Sequence, residues 1–240
     1  STTTDTPSML RGAGTRGVPE VPAGSSFTNT YSLAFDGIND YVNCGNETSR
    51  QVQTLTMSVW VKPTAFARDT IFLNGQSGTG NKGIEIFWVF NVFYARINGT
   101  TQVLGAGNGQ NNWTHLIIAY DGTTLKMMVD GVQGADVNIS QTIDYTSYNG
   151  LLIGLGPYGY HIGNIDEVAF WDSDQSANFS TIYGAGVPND ISALNPLNWY
   201  RMGEDATWDG SNWTLTDQGS GENDATSANM VEADRETNTP

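Results

Sequence analysis

Carboxylates, imidazoles and clustered aromatic rings are the side chains here whose spacing could do chemistry. Glu232, Asp234 and Glu236 alternate, and in a strand alternate residues share one face. Two carboxylates flanking a sugar bond are the apparatus of glycoside hydrolysis. EADRE, however, sits in a polar stretch without strand patterning, so no sheet is expected to hold it rigid. Asp166 and Glu167 are adjacent, so a regular strand would send them to opposite faces, unable to act together on one bond. His115 and His161 are the only histidines, and His115 lies in an apolar strand pattern where a structural role is expected. No nucleophile elbow, phosphate-binding loop or histidine-rich metal motif occurs. The expectation is a protein that is not an enzyme, with no catalytic residues and no required cofactor.

Two groups could bind instead of react. Asp36, Asn39 and Asp40 offer hard oxygen ligands within one turn, as Ca2+ prefers. The alternative is that Asp36 and Asp40 cap their own turn. The loop Gly154 to Gly163 presents Pro157, Tyr158, Tyr160 and His161 between glycines. Exposed rings make flat apolar platforms for sugar C–H faces, with Asn108, Gln110, Asn111 and Asn112 as amides for hydroxyls. The same tyrosines could equally pack over a sheet edge or at a subunit contact.

The elements that must position these residues centre on Trp113 to Gly131, WTHLIIAYDGTTLKMMVDG. An apolar, β-branched run turns at Asp121-Gly122 and returns through Leu125 to Val129 to a second Asp-Gly. Such a hairpin needs a second sheet to bury its apolar side chains. Leu55, Met57, Val59 and Val61 alternate with Thr56, Ser58, Trp60 and Lys62 until Pro63, a period-2 strand. Ile84 to Val89 and Val92 to Ile97 pair around Asn91. Leu151 to Leu155 and Gly163 to Trp171 are further strands, and one short helix follows Ser173, with Phe179, Ile182 and Tyr183 at helical spacing. Asn198 to Met202 reads as a late strand. The fold class expected is all-β, an antiparallel sandwich over residues 27–202. Residues 1–26 read as an extended arm, and 203–240 as an acidic, mostly irregular segment running over the surface, with nine Asp/Glu against one Arg.

A net charge of −15 with 10 Lys+Arg opposes nucleic-acid binding, which needs cations on phosphate. It equally opposes anionic membrane surfaces, and no apolar run is long enough for a membrane-inserted helix. Cys44 is the only cysteine, so no intrachain disulfide forms, and a small buried hydrophobe is expected there. Six Asn-x-Ser/Thr sequons, at Asn46, Asn98, Asn112, Asn138, Asn178 and Asn212, matter only in a glycosylating secretory route. Ser1 fits removal of an initiator Met, with a cleaved secretory precursor as the alternative.

FDGINDYV, LTMSVWVKP, WTHLIIAYDGTTLKMMVDG and GNIDEVAFWDSDQS occur in the order and spacing of a known family. Over about Tyr31 to Gly186 the chain resembles the laminin-G-like, concanavalin-A-like lectin/glucanase superfamily, in a form shared by bacterial surface proteins and marine tailed-phage structural proteins. NWYRMGEDA and the polar end DATSANMVEADRE look most like the phage versions. The resemblance implies a two-sheet jelly roll of about a dozen strands. Its enzymes carry Glu-x-Asp-x-Glu on an apolar strand, and no such strand here has a counterpart. Relatives place the first strand beside the one bearing Asp166, which would add Asp166 to Asp36 and Asp40 as Ca2+ ligands. The fold alone does not fix function. The expected role is a non-enzymatic virion-surface protein, a capsid decoration or fibre component. Its partners would be other virion proteins and copies of itself, with weak glycan binding through Tyr158, Tyr160, His161 and Asn111. In that reading Met9, Leu10, Val18 and Val21 insert the arm into a partner. The alternative is an extracellular adhesion or carbohydrate-binding module of a bacterium, with the arm as a linker.

Overall fold

The computed structural model describes residues 27–78 and 80–240. Met9, Leu10, Val18 and Val21 lie outside the described residues. Strands there are β1 (Ser32–Asp36), β2 (Tyr41–Asn43), β3 (Leu55–Pro63), β4 (Arg68–Gly75), β5 (Gly83–Val89), β6 (Val92–Ile97), β7 (Thr100–Gly105), β8 (Thr114–Tyr120), β9 (Thr124–Val129), β10 (Val132–Gln133), β11 (Val137–Asn138), β12 (Gly150–Ile153), β13 (Leu155–Gly156), β14 (Gly159–Tyr160), β15 (Ile162–Trp171), β16 (Asn198–Tyr200), β17 (Ala206–Trp208), β18 (Trp213–Leu215), β19 (Ala225–Ala228) and β20 (Arg235–Glu236). A short helix, α1 (Phe179–Tyr183), follows β15. One sheet runs β10-β9-β8-β3-β15-β1-β20, with β11 on β9 and β16 on β15. The other runs β17-β18-β19-β2-β12-β4-β5-β6-β7, and β13-β14 form a separate hairpin. All pairings between them are antiparallel, so the expected two-sheet sandwich with one short helix is the fold.

The period-2 pattern explains the layers. Met57, Val59, Val61, Leu116, Ile118 and Leu125 point between the sheets, where they meet Ile84, Ile86, Trp88 and Phe93. The turns follow from residue type: Asp121 Oδ1 accepts the amides of Thr123 and Thr124, and Gly122 takes φ 95°. Opposite residues of β3 and β8 face outward yet are buried, because a second cluster covers them. There Ile117, Ala119, Ala169 and Trp171 pack under Phe179, Ile182, Ile191 and Trp199. The outer face of the first sheet is therefore roofed by α1 and the segment after it.

Residues 203–240 depart from the expected irregular surface segment. They supply β17, β18, β19 and β20. β19 pairs with β2 and β20 with β1. Trp213, Leu215, Ala225 and Met230 are core residues. Strands of two to four residues, anchored by few apolar side chains each, leave too short a period-2 signal to read. EADRE is also resolved: Glu232 and Asp234 lie in a 3-10 turn, where Asp234 accepts the Val231 amide. Only Glu236 lies on a strand, its carboxylate accepting from Asn164 Nδ2 at 2.9 Å. The three acids share no strand face.

Candidate functional site at the loop end of the sandwich

One end of the sandwich gathers most of the residues with binding chemistry. β1 ends at Asp36 opposite Ile162, and β3 ends at Pro63 opposite Gly163. β4 starts at Arg68 opposite Val89, the last residue of β5. The connections leaving these ends meet: Trp88 Nε1 donates to Ala65 O at 3.1 Å, Phe90 N to Ala67 O at 3.0 Å, and Gln110 Nε2 to Thr64 O at 2.7 Å.

Phe66 and Phe90 stand on two of these loop tips. They are 61% and 53% exposed, and their rings stack at 4.9 Å between centroids. Phe90 has φ 48° and Asn91 φ 71°. A β5–β6 turn with both central residues left-handed suits Asn or Gly, and a bulky aromatic there is strained. The turn thus holds a large ring in water at a conformational cost. Nothing in the spacing of Phe66 and Phe90, 24 positions apart in sequence, marked them as partners; only the loop-end geometry does.

The expected tyrosine platform is rearranged. Tyr158 lies half-buried on the β13–β14 hairpin, against the Phe87 ring at 4.5 Å. Arg68 and Arg96 stack on its ring at 3.7 and 4.5 Å, and Arg96 Nη1 donates to its hydroxyl at 2.9 Å. Two guanidiniums and a ring occupy the faces a sugar would use. Tyr160 tilts against Tyr41 at 6.4 Å. His161 is fully buried, its Nδ1 2.6 Å from Asp69 Oδ1, and so is out of a ligand's reach. A histidine between glycines reads as a loop tip; its pairing with an acid 92 residues away has no local signal. Asn111 is exposed at this end, in a left-handed turn whose amide donates to Pro63 O.

Asp36, Asp40 and Asp166 are not brought together. Asp36 Oδ1 accepts the Ile38 and Asn39 amides, and Asp40 Oδ2 accepts the Asp36 amide, so both cap their own turn. Burial pushes the Asp40 carboxyl up to about 6, against the pull of the Asp36 amide. Asp166 lies four positions along β15 from Ile162, the partner of Asp36. At about 3.3 Å per residue that is ~13 Å, too far for one cation. These three residues do not fit a single Ca2+ site, and no other cluster of three or more His, Cys, Asp or Glu among the described residues could hold a metal.

Asp166 and Glu167 do share a face, contrary to the regular-strand expectation. β15 changes edge partner here, from β1 to β16, and a bulge intervenes between Asp166 and Ala169 opposite β3. Glu167 takes φ 45°, and a bulge re-aims its side chain. Both acids are buried on the outer face. Asp166 accepts from Asn29 Nδ2 at 2.8 Å; Glu167 accepts from Trp199 Nε1 at 2.7 Å and Arg201 Nε at 3.0 Å. Burial raises both carboxyls, Asp166 further through the neighbouring Glu167 charge, and Glu167 to about 7 against the pull of Arg201.

Behind Glu167 a Ser58 Oγ–His115 Nε2 contact of 2.8 Å has the outline of a nucleophile and its base. Three facts remove that reading. His115 Nδ1 has no carboxylate to orient it. Burial depresses its imidazole to about 3. The cavity over it holds ≈ 10 Å³, room for about one water. His115 instead packs in a three-ring cluster, 4.6 Å from Trp60 and 5.7 Å from Tyr183, which lie 6.2 Å from each other.

The sandwich has solved counterparts. A Bacteroides ovatus protein provisionally named for carbohydrate binding superposes with TM-score 0.67 at 17% identity, over 85% of this chain and 60% of that one. This chain therefore spans less than two thirds of its length. A heptameric SAP-like pentraxin of Limulus polyphemus gives 0.49 at 13% identity, over 66% and 82%. The CBM40 of the Ruminococcus gnavus IT-sialidase, solved with α2,3-sialyllactose, gives 0.45 at 13% identity, over 62% and 92%. No curated protein matches the chain significantly in sequence. A family model described as concanavalin A-like lectin/glucanases superfamily matches residues 36–178, which is 143 of 240. The order of strands, the hairpins and that match agree, and the chain belongs to the concanavalin A-like lectin/glucanase superfamily.

Proposed function

We propose that this is a non-catalytic, lectin-like recognition module that contacts glycans weakly at the loop end of its sandwich. The observation that carries the reading is the exposed Phe66–Phe90 stack, with Asn91, Gln110 and Asn111 around it. Rings in water at loop tips supply stacking surface, and amides supply hydroxyl partners. Stacking is worth on the order of 1 kcal/mol per ring, so a single site would be millimolar and useful through many copies. Multimerised protein on a glycan array should give hits that Phe66→Ala/Phe90→Ala reduces at least ~5-fold. Hits unchanged in that variant would rule out this surface. A parallel array in chelator reports whether any binding depends on Ca2+.

The same reading holds that the chain does not hydrolyse its ligand. Its support is that Asp166 and Glu167 are already hydrogen-bonded, that the cavity Glu167 lines has room for about one water, and that the acids of EADRE share no strand face. Incubation with laminarin, agar, carrageenan and alginate should release no sugar. Turnover abolished by a single carboxylate substitution would overturn it.

The placement we favour is a tailed-phage virion, as a decoration or fibre component in several copies. Its support is the likeness of NWYRMGEDA and the polar end to phage versions; in this proposal residues 1–26 would be laid on a partner through Met9, Leu10, Val18 and Val21. The rival, a bacterial extracellular carbohydrate-binding module, draws support from the Bacteroides ovatus likeness. Deleting residues 1–26 should abolish attachment to the particle in the first case; a secretion signal encoded upstream of Ser1 would favour the second.

A further inference from the structure

A second hollow lies on the outer face of the first sheet. It has a volume of ≈ 360 Å³ and is walled by Phe27, Asp190, Ser192, Trp199, Arg201 and Gln218. β16, which carries Trp199, pairs with Val168–Phe170, well along β15 from the loop end at Ile162. We propose that this hollow is a binding site for one neutral pyranose or a similar polyol, separate from the Phe66–Phe90 surface.

Size and chemistry both point there. The volume falls at the small end of the range for small-molecule sites, ~300–1,000 Å³. Phe27 and Trp199 stack at 6.1 Å and 9° to make an apolar wall, capped by the Arg201 guanidinium 4.1 Å over Phe27. Arg201 is fixed in place: Nε donates to Glu167 and Nη2 to the Thr28 carbonyl. Its Nη1 has no hydrogen bond within the described residues and remains a donor. Asp190 is exposed, and its Oδ1 accepts the Ser192 amide at 2.9 Å, which fixes the carboxylate while leaving Oδ2 as an acceptor. Ser192 and Gln218, also exposed, can each donate and accept. A vicinal diol presents donor and acceptor on adjacent oxygens, which is the complement of a carboxylate beside a guanidinium and an amide.

Charge selects among sugars. Arg201 is the single cation among the described residues that line the hollow, and Glu167 already engages it. Asp190 faces the opening, and the chain as a whole carries a net charge of −15. Acidic saccharides would meet this negative field, so uronates and sialic acids are disfavoured relative to neutral hexoses.

Titration of the whole chain tests this, followed by saturation-transfer NMR and tryptophan fluorescence. The probes are the methyl glycosides of glucose, galactose and mannose, with glucuronic acid and N-acetylneuraminic acid as acids. At least one neutral glycoside should bind with a Kd of about 1–10 mM, and both acids at least ~5-fold more weakly. Asp190→Asn keeps an acceptor for the Ser192 amide, so it should fold; it and Gln218→Ala should each weaken binding about 3-fold or more. Repeated in Phe66→Ala/Phe90→Ala, which lacks the loop-end rings, the titration should retain the component of binding that Asp190→Asn and Gln218→Ala weaken, and this separates the hollow from the loop-end reading. Three results would each overturn the assignment: no neutral glycoside bound at ~50 mM, acids bound as tightly as neutral sugars, or an unchanged Kd in both hollow variants.

Discussion

Replacing Asp217 with alanine is expected to lower stability by about 3–5 kcal/mol, the largest single effect anticipated for a residue outside the apolar core. Its carboxylate accepts four hydrogen bonds: Trp199 N and Gly219 N on Oδ1, at 2.8 Å each, and Asn198 Nδ2 and Asn223 N on Oδ2, at 2.6 and 3.0 Å. Asn198 in turn takes Arg50 Nε at 2.8 Å, and Arg50 is wholly buried. Removing the carboxylate leaves buried amides unpaired, and it deprives the Arg50 region of a nearby negative charge. It also unties residues 217–223 from β16. Urea unfolding followed by tryptophan fluorescence measures the loss. Asp209→Ala, which removes an exposed turn cap on Ser211 and Asn212, serves as comparison and should barely move the midpoint. If the two variants unfold alike, the anchoring role assigned to Asp217 is wrong.

Stability is expected to fall as pH rises from 5 to 8. Burial lifts Glu85 from 4.5 to about 7, against the pull of Arg96, its buried ion-pair partner. Between those values the folded carboxyl keeps a proton that the unfolded one has released. Its contribution is therefore complete below 4.5 and gone above 7, on the order of 3 kcal/mol. Glu167, raised to about 7, Asp40, raised to about 6, and Asp166, raised well above its usual range, act in the same sense. His115 opposes them. It stays neutral in the folded state down to about 3, so its contribution is present above 6.5 and lost as pH falls. Between 4.5 and 6 four carboxyls outweigh one imidazole. The melting temperature should therefore drop by on the order of 5–10 °C from pH 5 to pH 8, and Glu85→Gln should flatten the slope. A melting temperature that climbs across this interval would refute the assignment.

Patterned strands were legible in the sequence, and irregular contacts were not. The β8–β9 hairpin, β3 and β15 follow from alternation and Asp-Gly turns, because a strand with one apolar face declares its period over six or more residues. The expected helix after Ser173 is a 3-10 turn at Ser176–Asn178 running into α1, with Phe179 and Ile182 buried as their spacing implied. A regular strand would separate Asp166 from Glu167, and the bulge that brings them to one face leaves no local mark: it arises where β15 trades β1 for β16. For the Tyr158–His161 loop the sequence leaves an exposed platform and a packed edge equally open, because Gly-rich flanks suit both and Asp69, Arg68 and Arg96, which engage His161 and Tyr158, come from strands far away in sequence. The Phe66–Phe90 pair and the Arg201 hollow are likewise assembled from separated segments, and the hollow needs the segment beyond residue 203 through Gln218.

The placement of β1 and β2 inside their sheets bears on how the chain comes to be folded. β1 lies between β15 and β20, and β2 between β12 and β19. Ser32 opposes Glu236, and Asn43 opposes Thr226. Among the described residues these two strands precede all the others, and each gains a neighbour from residues 225–236, roughly 180 to 200 positions later. Contacts of such long sequence separation are slow to form, and synthesis at ~5–20 residues per second keeps these edges open for ~10 s or more. Until then each sheet presents a bare strand edge able to pair with another chain. A chain cut at residue 202 would keep those edges permanently, so loss of the last 38 residues should yield aggregation instead of a smaller sandwich.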